Sequence, residues 1–128
     1  MNTLKKIALV ALVAASFGAV STTAFAETDA GRIVYAPAQS IDMLNGKIQI
    51  AIDALTSGSE PDAVSKLVKE ASDFTKEVNA SDIVARTVSK GTNLLKAARK
   101  DLQDGASQQA ETKLRDAQKV MTEAKGLI

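Results

Sequence analysis

The sequence predicts an all-α fold: an antiparallel four-helix bundle made of two related helical hairpins, with an extended N-terminal segment. Three observations predict it. Four amphipathic runs follow one another, each with apolar residues at steps of three and four. Short breaks rich in Gly, Ser, Asn and Asp separate them, and short breaks force neighbouring helices to run antiparallel. A pattern of Ala, Leu, Gly and Lys recurs at a constant offset of about 47 residues, the size of one helical hairpin.

The chain begins with Lys5 and Lys6, continues as an apolar or small run from Ile7 to Val20, and reaches Ala24-Phe25-Ala26. A positive start, a short apolar run and an A-x-A site are the order of a cleavable secretory signal peptide. Residues 1–26 are therefore expected to be removed after Ala26, and the mature protein to be periplasmic or secreted. A membrane anchor is the competing reading. The run is short for a bilayer and no charged stop-transfer flank follows, so no membrane anchor is expected after cleavage. Without Cys at the site, no lipid can be attached there.

Residues 27–38 contain Gly31, the pair Ile33-Val34, Tyr35 and Pro37, which favour an extended conformation. Residues 39–128 form the bundle domain. Its first stripe is Ile41, Leu44, Ile48, Ala51 and Leu55. The second is Val64, Leu67, Ala71, Phe74 and Val78. The third is Val84, Val88, Gly91, Leu95, Ala98 and Leu102, and the fourth Ala110, Leu114, Ala117, Met121 and Ala124. Helices of ~17–22 residues give a bundle about 25–33 Å long. Ser59 is the expected cap of the second helix, with Pro61 in its first turn, and Ser81 caps the third. Asn45-Gly46 inside the first stripe either delays the helix start or leaves a continuous helix with a weak point, the reading preferred here. Gly46 and Gly91 are also candidates for close helix contact.

Composition removes most chemistry. The chain has no His and no Cys. Zinc sites with nitrogen and sulfur ligands, His-ligated haem, and Ser-His-Asp or Cys-His catalysis cannot be assembled. The carboxylates Glu60 with Asp62, and Asp101 with Asp104, lack a calcium-loop pattern. Glu60, Asp62 and Asp82 suit helix starts, whereas Asp101 and Asp104 are expected to pair with Arg99, Lys100 or Arg115. Ser65 with Lys69, and Ser72 with Lys76, have helical spacing but fall on a wet face, where no lysine is desolvated for catalysis. Asn79-Ala80-Ser81 matches a glycosylation sequon and is read as chance. No enzyme and no cofactor are expected.

All 15 acidic residues follow the cleavage site, while Lys5 and Lys6 leave with the signal peptide. The mature chain is thus nearly neutral. Its basic residues between Lys96 and Lys125 are interleaved with acids, which makes a solvated face and no nucleic-acid-binding stripe.

The pattern Ala51-x-x-x-Leu55-x-x-Gly58-x-x-x-x-Ala63-x-x-Lys66-Leu67 has a second copy in Ala98, Leu102, Gly105, Ala110, Lys113 and Leu114; Phe74-Thr75 corresponds to Met121-Thr122. It resembles two families of exported helical proteins over the mature three quarters of the chain. One is the YfdX family of stress-linked periplasmic proteins. The other comprises small periplasmic metal-binding proteins with His-rich hairpins. The resemblance implies the hairpin fold and export. It does not carry over the metal site, whose histidine ligands are absent.

Together these readings predict a non-enzymatic exported bundle, stress-related or partner-binding, acting through its surface as a monomer or homodimer. The alternative is a bundle that holds a small apolar ligand between its hairpins, in a site lined by Met43, Ile48, Ile52, Phe74, Leu95 and Met121.

Overall fold

The computed structural model describes residues Val34–Ile128. The signal peptide, its cleavage site and residues 27–33 of the expected extended segment lie outside the described residues. Four helices make the bundle: α1 (Pro37–Thr56), α2 (Pro61–Phe74), α3 (Asp82–Gln103) and α4 (Ser107–Gly126). A 3₁₀ turn, Thr75–Glu77, extends α2, and there is no strand among the described residues. The helices close a ring in which α1 packs on α2 and α4, and α3 packs on the same two. The expected four-helix bundle is therefore the observed architecture.

The helix starts differ from the sequence reading in two places. Pro37 and Ala38 were expected to be extended, yet they open α1. Proline at the first helical position has φ preset and needs no amide partner, while Ala36 before it is held extended at ψ 144°. The cap of α2 is Glu60, one residue beyond Ser59, again because proline occupies the first helical position. Ser81 does stand at the start of α3, but its hydroxyl makes no capping bond.

Both hairpin turns end their first helix in the same way. Gly58 has φ +84° and Gly105 has φ +77°. The Ser59 amide donates to the Ala54 carbonyl at 3.0 Å, and the Ala106 amide to the Asp101 carbonyl at 2.8 Å. The two glycine amides donate to Leu55 and Leu102, each at 3.3 Å. These are Schellman closures, which satisfy the last free carbonyls and need a left-handed residue that only glycine adopts without cost.

Apart from Ser40, the buried side chains are apolar. All six expected stripe residues of α3 and all five of α4 are buried. In α1, Ile41, Leu44, Ile48 and Ala51 are buried as expected, joined by Ile52, while Leu55 is half-buried. The stripe of α2 is the one that needs correcting. Val64, Val68 and Ala71 are buried, whereas Leu67, Phe74 and Val78 are only partly covered.

The cause is one residue in a turn. From α1 to α3 the repeat keeps its offset, matching Ile41 with Val88, Leu44 with Gly91, Ile48 with Leu95 and Ala51 with Ala98. Ser59 and Glu60 separate Gly58 from α2, but Ala106 alone separates Gly105 from α4. The buried residues of α2 and α4 therefore match one residue short of that offset: Val64 with Ala110, Val68 with Leu114, Ala71 with Ala117. One residue turns a helix by about 100°, so Leu67 rotates off the seam and Val68 takes its place.

α2 is also shorter than expected, at 14 residues. The Thr75 hydroxyl donates to the Ser72 carbonyl at 2.6 Å, and the chain tightens into the 3₁₀ turn before Val78 becomes extended. Hydroxyl groups bonding back to the preceding turn compete with helix continuation.

Polar pairs fix the register at the rim. Lys125 pairs with Asp42 at 2.7 Å, the Asn45 amide donates to the Thr122 hydroxyl at 3.4 Å, and the Gln118 amide donates to Gln49 at 2.9 Å. Rising numbers on α1 meet falling numbers on α4, the mark of antiparallel packing. Asp101 pairs with Lys113 across the second hairpin, and Arg115 with Glu111 on its own helix, so the partners expected for Asp101 are not the ones used.

α1 runs unbroken through Asn45-Gly46. The two stripe glycines differ in purpose. A Cβ at Gly46 would meet nothing within 4 Å, whereas one at Gly91 would collide with Cε of Met121 and lie 3.1 Å from its Sδ. Close helix contact thus explains Gly91 and leaves Gly46 as the weak point.

Candidate functional site

The six residues proposed to line a ligand site divide into two groups. Ile48, Ile52, Leu95 and Met121 are fully buried members of the core. Met43 and Phe74 are half-buried at its edge. Phe74 already has two partners. The Tyr35 ring lies 6.2 Å away at a tilt of 46°, and the Lys47 ammonium stands 5.2 Å over its face. The stack anchors the start of the described chain against α2, and the ammonium gains from the negative face of the ring.

Two grooves lined by described residues bear on this, and neither contains any of the six. One follows the outer stripe of α4 along Arg115, Gln118, Lys119, Thr122 and Glu123. Its charges are of both signs, and Arg115 is engaged by Glu111.

The other lies where the two hairpins meet, between the end of α2 and the outer face of α3. It exists because α2 stops at Phe74 while α3 runs on beside the turn. The α3 wall is Ala85, Val88, Ser89, Thr92, Asn93 and Lys96, at steps of one and three that keep them on one stripe. Thr75, Lys76 and Val78 form the opposite wall, and the groove, open to solvent along its length, offers about 380 Å³. Val88, 6% exposed, ties its floor to the core.

The chemistry of this groove is one-sided. No Asp or Glu lines it, and Lys76 and Lys96 have no acidic partner among the described residues. The hydroxyls of Thr75 and Thr92 donate to the carbonyls of Ser72 and Val88, leaving their oxygens as acceptors. Ser89 and Asn93 are exposed and retain free donors. Lys76 was visible in the sequence only as one half of a surface pair with Ser72, and Lys96 only as part of a mixed basic run. Nothing in the sequence marks the groove, since it depends on where α2 ends.

Ser40 is the one fully buried polar residue among the described residues, and its hydroxyl donates to the Pro37 carbonyl at 2.8 Å. Ser65 accepts from the Arg99 guanidinium at 3.3 Å, and Lys69 and Lys76 are exposed. Among the described residues, no three carboxylates gather as a metal site, and no helix is long and apolar enough to cross a membrane. Comparison with protein-family models, curated proteins and solved structures gives no match.

Proposed function

We propose that this chain is an exported, non-enzymatic helical bundle that acts by binding a protein partner through its surface. The observation that carries this reading is the contrast between the interior and one end of the molecule. The interior holds apolar side chains and a single locally bonded serine. At the end where α1 begins, α2 turns into α3 and α4 stops, the apolar side chains of Val34, Ile83, Leu127 and Ile128 are exposed. Solvent-facing apolar residues gathered in one place are a usual mark of an interaction surface. The opposite end carries the Gly58 and Gly105 turns, and the one other exposed large apolar residue among the described ones, Ile50, stands alone on α1.

Export rests on the order of charge, apolar run and A-x-A site in residues 1–26. A role in stress rests on the resemblance to the YfdX family. Native mass spectrometry of the protein recovered from its producing cell tests the reading. The expected species begins at Glu27 and carries a protein partner that the variant Ile83→Glu/Leu127→Glu loses. A chain that still begins at Met1, or one that runs bare in both forms, would overturn it. A small molecule retained in place of a protein would favour the ligand-binding alternative.

A further inference from the structure

We infer that the groove between α2 and α3 binds a small organic anion: a single anionic head on a short hydrocarbon body. This goes beyond protein binding at the apolar end, uses different residues, and can fail without it.

The argument is one of complementarity. Val78, Ala85 and Val88 supply an apolar bed, and Val88 fixes that bed to the core. Lys76 and Lys96 supply two cations. Lys113, Lys125 and Lys47 are engaged by Asp101, Asp42 and the Phe74 ring, whereas Lys76 and Lys96, like the exposed Lys66, Lys69, Lys90, Lys100 and Lys119, have no such partner; what sets these two apart is the apolar bed beside them. In the groove both are unpaired and no acid is present to repel an anion. The exposed Ser89 hydroxyl and Asn93 amide add neutral donors on the same wall. The volume of 380 Å³ falls within the range of small-molecule sites, about 300–1,000 Å³. Apolar lining with a few converging polar groups is how such sites orient a ligand, here with the hydrocarbon on the valines and the head at a lysine. Lysine binds as a compact point charge, so carboxylate and phosphate heads are both suited.

The test is an amide-resolved NMR titration of the whole chain with decanoate below its micelle concentration, repeated with octyl phosphate and with neutral decanol. Saturable shifts are expected at Val78, Ala85, Ser89, Thr92 and Asn93 with one or both anions, and the stronger of the two identifies the head. Lys76→Ala and Lys96→Ala should each weaken binding by about three- to tenfold. Ser89→Trp, at an exposed position, should fill the groove and abolish the shifts while leaving the fold intact. Decanol binding as well as the anions, or anion binding that survives Ser89→Trp, would overturn the proposal. So would shifts centred on Ile48, Leu95 and Met121, which would place the ligand in the core, or the absence of any saturable shift.

Discussion

Leu114→Ala is expected to cost about 2–5 kcal/mol, the range for a fully buried leucine that leaves a cavity behind. Leu114 is 0% exposed and faces the centre of the bundle from α4. Leu67, its counterpart by simple sequence offset, is only partly covered. Its truncation opens onto solvent and forfeits about 1–2 kcal/mol of transfer energy with little cavity penalty. A small domain holds about 5–15 kcal/mol in all, so urea melts separate the two variants readily. Equal losses would mean that α2 keeps the register of the repeat and that the one-residue slip is wrong.

The second large effect is expected at Gly91. Gly91→Val places new methyl groups where Met121 Cε now lies, and overfilling a packed core costs about 1–3 kcal/mol. Valine is a better helix former than glycine, so intrinsic preference alone predicts a gain. The sign therefore decides between local propensity and tertiary packing. Adding Met121→Ala should recover part of the loss, with a coupling of about 0.5–3 kcal/mol for residues in contact. Gly46→Ala is the control. Its Cβ enters open space on an exposed helix face, and it should stabilise the fold by about 1 kcal/mol. Additive effects of the Gly91 and Met121 changes in thermal melts would remove the contact from the account.

These two sites also indicate how far the sequence could be read. The stripes of α3 and α4 were legible because unbroken steps of three and four run along each of them, although Ile83, Leu94 and Val120 lie off the buried face. In α2 the neighbours Leu67 and Val68 are both apolar, so periodicity cannot say which one points inward. The answer comes from the extra residue before Pro61, a feature of the turn and not of the helix. The two hairpin breaks were legible as turns from Gly58 and Gly105, whereas the competition between proline and serine for the start of α2 was not. The groove between the hairpins was not legible at all. Apart from Val78 and Val88, which read as seam residues, its lining is small, polar or charged and looks like ordinary solvated surface until the early end of α2 leaves a gap beside α3. The six residues expected to surround a ligand share apolar character, and that same character places four of them in the filled core.

The central claim is that one chain closes both hairpins on itself, leaving its surface to act. The chain contains no Cys, so introduced thiols report without interference. The most direct measurement is cross-linking of a Gln49→Cys/Gln118→Cys variant with a short bis-maleimide, followed by mass analysis under denaturing conditions. Gln49 and Gln118 touch across the contact between α1 and α4 that joins the first helix to the last. A cross-link within single chains, at every protein concentration, is the predicted result. A cross-link found only between two chains would contradict it, because hairpins exchanged in a dimer would then be supplying that contact.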